Sequence, residues 1–353
     1  MINFELHKLP PKKELETKNI LRALNKASRA LAELKGEAKT IPNENILINT
    51  LGLQEAKDSS AIENIVTTND ELFLSNVDNT VENVAAKEVQ NYSKALKHGF
   101  ELVKKHYLLT SNNIVDIHRE LEPNKKGFRK LPGTALKNSA GETVYTPPQH
   151  YNTIVDLMSN LEKYINDNDL HDIDPLLKMP IIHYQFESIH PFYDGNGRTG
   201  RIINILYLLQ QQLLDIPVLY LSKYIIQNKA DYYKYLQNVR TNDDFENWLI
   251  WLLNGVAETS KSTVSLIQEI KNLMDEFIGQ IKSEYPKMYS KDLVENIFKH
   301  PYTKIEFIIN DLQVSKPTAM DYLKKLIKLG LLKKEKRWKT NYYINEKLYN
   351  LFK

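Results

Sequence analysis

The chain has 353 residues, 42% of them hydrophobic, and a formal net charge of +3. That is enough apolar material for sizeable packed cores, and too little net charge to give the whole chain an electrostatic partner. It has no cysteine, which excludes disulfides, thiolate metal ligands and a thiol nucleophile and fits a reducing compartment.

The opening MINFELHKLPPKKELETK carries no apolar run, and no later stretch approaches the ~18 apolar residues of a spanning helix, so a soluble, cytoplasmic protein without membrane contact is expected. The pattern is mainly α. Apolar positions recur at helical spacing through 15–40, from Ile20 and Leu21 by way of Leu24, Ala27 and Leu31 to Leu34; Gly36 and Pro42 close the element. Further helices are expected over 46–65 and from Val81 to His106, with Thr110 as the next N-cap. TALKNSAGETVYT, 134–146, reads as a β-hairpin, its two runs flanking Asn138 to Gly141 and its second strand stopped by Pro147 and Pro148. Helices are expected again over 155–165, 176–189, 200–212 and 229–254, then a helical linker over 257–284.

In the last part of the chain, 291–298 and 303–312 read as short helices. A third runs from near Ser315 to Gly330, and KKEKRWKTNYYI forms a basic hairpin. This is the outline of a winged helix-turn-helix. Residues 315–353 hold ten lysines and one arginine against one aspartate and two glutamates, a local net charge of +8. Such a patch fits DNA, a recruited protein or a second copy in a homodimer, or it is a solvated lysine surface. The expected domains are 1–107, 108–256, 257–284 and 285–353.

The densest chemistry lies in HPFYDGNGRTGR, 190–201. Pro191 disfavours helix through His190, Asp194-Gly195-Asn196-Gly197 has the composition of a tight turn, and helix resumes at about Arg198. Amides of such a turn, with a helix N-terminus behind them, form a concave anion site that glycine lets a phosphate approach. Arg198 and Arg201, one turn apart, can face the same anion. Asp194 is a hard oxygen ligand suited to Mg²⁺ on phosphate oxygens, and His190 can accept a proton near neutral pH. Together they suit phosphoryl or nucleotidyl transfer from a nucleoside triphosphate. Two other readings stand beside this one: a helix-turn-helix held by Asp194–arginine pairing, and a metal hydrolase using His183, Glu187 and His190 at i, i+4 and i+7.

HPFYDGNGRTGR resembles the Fic-domain signature HxFx(D/E)GNGRxxR at every defined position. The resemblance implies a helical Fic core, about 108–256, that transfers AMP from ATP to a hydroxyl of a protein. It implies His190 as base, Asp194 as Mg²⁺ ligand and Gly195, Asn196 and Gly197 as phosphate cradle. Arg198, Thr199 and Gly200 belong to the ATP site, Arg201 reaches the γ-phosphate, and Phe192 anchors the loop. DSSAIENI, 58–65, resembles the family's inhibitory motif (S/T)xxxE(G/N) through Ser59, Glu63 and Asn64, on a helix expected over about 55–65. That implies Glu63 pairing with Arg201 in the γ-phosphate space. GFRKLPGTALKNSAGETVYTPP resembles the family's flap, on which a target segment docks by strand addition and presents a tyrosine, serine or threonine. NKADYYKYLQNVRTNDDFENWLIWLLNGV resembles the segment closing over the nucleotide, with Tyr232, Tyr233 and Asn247 as adenine contacts. Competing expectations are AMP removal by water that Glu63 orients, and a DNA-binding regulator whose core senses nucleotide.

Overall fold

Thr17 accepts a hydrogen bond from the Ile20 amide and starts the first helix of the computed structural model, which describes residues 5–77, 84–125, 127–138, 140–337 and 340–352. This helix, α1 (Lys18–Ala38), buries Ile20, Leu24, Ala27, Leu31 and Leu34 on one stripe. Next come α2 (Glu44–Ile62), α3 (Asn69–Val77) and α4 (Val84–His106). Thr110 closes a reciprocal capping box with Asn113 and opens α5 (Ser111–Leu121). The hairpin is β1 (Leu136–Lys137) and β2 (Thr143–Tyr145), antiparallel with a register shift. Then follow α6 (Tyr151–Asn166), α7 (Pro175–Ile189), α8 (Asn196–Gln210), α9 (Ser222–Gln227), α10 (Lys229–Asn242) and α11 (Phe245–Glu284). The expected helix start at Val81, Ser139 in the hairpin turn and Trp338 and Lys339 in the basic hairpin lie outside the described residues.

The centre is the antiparallel pair α7 and α8, whose residues are buried almost all round. A helix apolar on every face needs neighbours on every face. Helices α4 and α5 pack on α8, α6 covers α7, and α2 closes over α4. The motif between α7 and α8 is thus held by the most deeply packed helices of the chain. No described helix is long and apolar enough to cross a membrane.

Four expectations need correction. The helix expected to 65 ends at Ile62; Glu63 is its C-cap and Asn64 has φ 64°. The helix expected over 229–254 is two, because Asp243 turns left-handed and Asp244 caps a new helix by accepting from the Asn247 amide. That new helix, α11, runs unbroken for 40 residues through the boundary expected at 256/257. Helix resumes at Asn196 rather than Arg198, with Gly195 as N-cap. Helices α3 and α9 were not anticipated, both being too short to give a clear period.

Beyond α11 the order is α12 (Lys291–Lys299), β3 (Tyr302–Thr303), α13 (Ile305–Leu312), α14 (Lys316–Lys328), β4 (Lys333–Arg337), β5 (Thr340–Ile344) and α15 (Glu346–Asn350). The three strands form one antiparallel sheet in the order β3-β5-β4, with β4 and β5 a hairpin after α14. The short elements β3 and α15 carry no pattern of their own in the sequence. This region is fastened to α3: Arg337 pairs with Asp70 at 2.7 Å, and the Asn69 side chain donates to the Phe352 carbonyl at 2.9 Å. Phe73 packs among Tyr302, Tyr349 and Phe352.

Candidate active site

Helix α7 ends with carbonyls that its own ladder cannot satisfy. The flap supplies donors for two positions: the Tyr145 hydroxyl donates to Ser188 O at 2.8 Å, and Arg129 Nε to His190 O at 2.8 Å. His190 is left-handed, φ 50° and ψ 59°, so its ring leaves the helical path of His183 and Glu187. The metal-hydrolase reading fails here. Both His183 nitrogens are engaged, Nδ1 accepting from Asn204 at 3.0 Å and Nε2 lying 2.8 Å from the Tyr232 hydroxyl. Among the described residues no group of three or more histidine, aspartate or glutamate side chains is placed to hold a metal. Burial, then the charges of Arg129 and Arg240, pushes His190 down to about 4, so it is neutral at pH 7.

The turn is built by Asn196. Its Oδ1 accepts from the Phe192 amide and its Nδ2 donates to the Phe192 carbonyl, both at 2.9 Å. Phe192 is fully buried with the His118 ring stacked on it at 3.7 Å, and His118 Nε2 donates to Asp194 O at 2.9 Å. Gly195 has φ 73°, and a Cβ there would press within 3.2 Å of Glu122 and 3.3 Å of Leu121. The first intrahelical bond is Thr199 N–H to Gly195 O at 2.9 Å. The amides of Asn196, Gly197 and Arg198 therefore precede the ladder and are left as donors at the start of α8, where an anion is expected from the sequence. The Asn196→Ala variant is expected to lose about 2–4 kcal/mol, since it leaves two buried backbone groups unpaired. Denaturant unfolding checks this, and a loss under about 1 kcal/mol would show that the turn is held elsewhere.

Asp194 is exposed beside these amides. Its Oδ1 accepts from Gly195 N at 2.8 Å and its Oδ2 pairs with Lys125 at 2.7 Å. Partial burial works against ionisation, but Lys125 and the Gly195 amide outweigh it and hold the carboxyl below its usual range. One accessible carboxylate beside a phosphate nest fits Mg²⁺, which commonly takes one or two carboxylates and completes its shell with phosphate and water.

The two arginines do not face one anion. Arg198 is buried and turned to Glu88 at 3.0 Å and Glu122 at 2.7 Å, so it braces α8 against α4 and the end of α5. Arg201 faces the cradle. Its Nε donates to Ser59 Oγ at 2.7 Å, and its Nη2 to Ser59 O and Glu63 Oε1, each at 2.9 Å. The Glu63 carboxylate lies directly over Gly197, where any Cβ would collide with its Oε1. Asn64 turns away and accepts from Lys229 at 3.2 Å.

Other expected contacts divide. Thr199 spends its amide and its hydroxyl on Gly195 O, the hydroxyl at 2.8 Å. Gly200 is where α7 crosses α8; a Cβ would come within 2.5 Å of Glu187. Tyr232 is buried among His183, Trp248 and Trp251, a core residue rather than an open face for adenine. Its neighbour Tyr233 is half-exposed. Asn247 is exposed, its side chain held by Asp244 at the start of α11. Sequence reasoning missed Glu88, Glu122, Lys125, His118 and Arg129, whose partners in the 190–201 segment are all remote in the chain. It also gave no role to Glu55, which burial pushes up to about 7 and which accepts from Tyr92 and Ser222 one turn before Ser59.

Three family models match the chain: "Fic/DOC family N-terminal" over residues 21–101, "Fic/DOC family" over 108–208, and "Protein adenylyltransferase SoFic-like, C-terminal domain" over 273–348. A "Probable protein adenylyltransferase" of Aquifex aeolicus is 26% identical over 266 residues, 70% of this chain and 73% of that protein. The "Protein adenylyltransferase Fic" of Nematostella vectensis is 30% identical over 44% of this chain and 35% of its own. The nematode protein adenylyltransferases are longer, and the chain spans 26% of the length of the one from Caenorhabditis briggsae, at 24% identity over 40% of this chain. Among solved structures, a Fic family protein from Desulfovibrio desulfuricans G20 superposes over 96% of this chain and 98% of its own. Its TM-score is 0.60 at 19% identity, a likeness of fold.

Proposed function

The chain belongs to the Fic/DOC family, and on that footing we propose that it transfers AMP from ATP to a tyrosine, serine or threonine hydroxyl of a target protein and of itself, and that Glu63 restrains the reaction. The observation that carries this reading is the Glu63 carboxylate on Arg201, over Gly197, at the open side of the amide cradle. The reading is supported because the Arg201 guanidinium and the free amides of the turn border one space, and the internal carboxylate in it makes the contacts that the terminal phosphate of ATP would make.

The target hydroxyl oxygen attacks the α-phosphorus, the bond from that phosphorus to the β-bridging oxygen breaks, and pyrophosphate leaves. The hydroxyl proton passes to the His190 imidazole, which is neutral and can accept it. The amides of Asn196, Gly197 and Arg198 hold phosphate oxygens, and Arg201 takes the γ-phosphate once Glu63 withdraws. Asp194 would hold Mg²⁺, which when bound neutralises phosphate charge. The short, exposed hairpin lies beside His190 and supports docking of the target segment on its strand edge. Tyr233 is the remaining candidate to lie against adenine.

Peptide mass spectrometry of the Glu63→Gly protein after incubation with ATP and Mg²⁺ tests this. AMP on a tyrosine, serine or threonine, absent when His190→Ala is added, is the expected result; phosphate instead of AMP, or no modification of itself or of a lysate, would sink it.

The low His190 pKa gives a pH expectation. Protonation removes the base, and a pKa lowered from 6.5 to about 4 moves that loss to more acid solution. For the Glu63→Gly enzyme, kcat/KM should change less than about twofold between pH 7.5 and 5.5, where an ordinary imidazole would lose about tenfold. Bound phosphates favour the imidazolium, so the acid limb of kcat should lie higher than that of kcat/KM.

AMP removal keeps one observation in its favour: the Glu63 carboxylate is partly exposed beside the cradle and could orient water. A pre-adenylylated target that loses AMP with wild type but not with Glu63→Gly would select it. For the C-terminal region, the exposed lysines at 316, 324, 328, 333, 334 and 336 support a DNA contact, and salt-dependent binding of duplex DNA lost on their neutralisation would test it.

A further inference from the structure

Arg129 is completely buried, yet among the described residues no carboxylate pairs with it. All its hydrogen bonds go to two stretches of backbone. Its Nε donates to His190 O at 2.8 Å, its Nη2 to Pro148 O, and its own amide to Pro191 O at 2.8 Å; Nη1 is buried without a partner. A buried, unpaired guanidinium is costly, and two lysine-like single contacts would not need its fork. The two carbonyls it joins belong to the left-handed residue that carries the base and to the exit of β2.

Neighbouring residues repeat the link. The amides of Lys130 and Leu131 both donate to the Tyr193 hydroxyl at 3.0 Å, and Tyr145 of β2 donates to Ser188 O at 2.8 Å. Arg240, stacked on the Tyr145 ring at 4.0 Å, donates to Ser188 Oγ at 3.3 Å. The start of the flap before β1, its second strand and its exit are thus all tied to the last turn of α7 and the residues that follow it. Among the described residues only Arg129 joins the His190 carbonyl itself to the flap. Left-handed backbone at a non-glycine residue persists when its surroundings fix it, and the fork is what fixes this one.

We propose that Arg129 is a positioning residue: it locks the His190 backbone in its left-handed conformation, and links it to the strand exit of the flap so that a docked hydroxyl and the base keep a fixed separation. This rests on the adenylyl-transfer reading. Its charge acts on the same ring. Arg129 and Arg240 both favour neutral His190, while Glu63 opposes them.

The test compares Arg129→Lys and Arg129→Gln, each in the Glu63→Gly background. Lysine keeps the charge and loses the fork; glutamine loses the charge. Both should lower kcat at least about tenfold, the effect of sub-ångström misplacement of a base, with KM for ATP within about twofold of the parent. Independently of activity, the His190 ring followed by NMR, identified by its loss in His190→Gln, should titrate higher in Arg129→Gln and stay low in Arg129→Lys. Parental kcat in both variants, or an unmoved His190 titration in Arg129→Gln, would overturn the assignment. Loss of the folded state in both would make Arg129 a fold-stabilising residue and overturn it too. If the Glu63→Gly parent itself modifies nothing, the transfer reading fails while the NMR comparison still decides the role of Arg129.

Discussion

Glu63→Gly is expected to raise the rate of adenylyl transfer about tenfold to a hundredfold, because ATP no longer has to displace a charge-assisted hydrogen bond worth about 1.5–3 kcal/mol, and about 1.4 kcal/mol is a factor of ten. In the present structure Arg201 is buried and held through Nε and Nη2 by Ser59 and Glu63, and the Glu63 carboxylate fills the space above Gly197. On the proposed reading, a γ-phosphate placed over Gly197 to meet Arg201 would have to move that carboxylate. Burial works against charge on Arg201, but Glu63, with Tyr232, Tyr92 and Glu187 behind it, outweighs burial and holds the guanidinium above its ordinary value. Glycine removes the carboxylate and leaves both Ser59 contacts, so Arg201 should stay oriented. The Glu63 side chain is 35% exposed but its partner Arg201 is buried, so the loss should cost about 1.5–3 kcal/mol of stability. Initial rates at several ATP concentrations check the gain; unchanged rates with bound ATP and a folded variant would remove the restraint.

The second large effect is the reverse. Adding His190→Ala to Glu63→Gly should lower transfer by about 10²- to 10⁴-fold, the range for loss of a positioned general base. ATP affinity should remain within about threefold, because Asn196 holds the turn without His190. The ring's Nδ1 is buried without a partner, so no network collapses when the imidazole is removed. An equal loss of ATP binding and rate would instead make His190 a structural support of the nest.

What the sequence made legible was local. The histidine before a proline, the glycine-rich turn and the helix after it lie within twelve residues, and their spacing already points to a turn of free amides with a histidine at its rim. The Ser59–Glu63 pair was legible because four residues on or next to a helix put both side chains on one side. Arg198 shows where this reasoning stops. Spacing places it one turn from Arg201, but its direction depends on Glu88 and Glu122, which only the packing of α4 and α5 on α8 brings there. Tyr232 and Tyr233 illustrate the same limit: adjacent aromatic residues share a signal, and which one enters the core is decided by His183, Trp248 and Trp251. Arg129 gave no signal at all, since both carbonyls it holds are distant in sequence or set by a backbone angle. The break at Asp243 was readable: Asp244 stands three residues before Asn247, a helix-start pattern inside an apparently continuous helix.

The most direct measurement gives the Glu63→Gly protein ATP labelled at the α-phosphate in one reaction and at the γ-phosphate in another, with Mg²⁺ and with His190→Ala as control. Label should reach protein from the α-position only, and only when His190 is present. Label from the γ-position would show phosphoryl rather than adenylyl transfer, and α-label that persists in the His190→Ala control would contradict the role assigned to the turn.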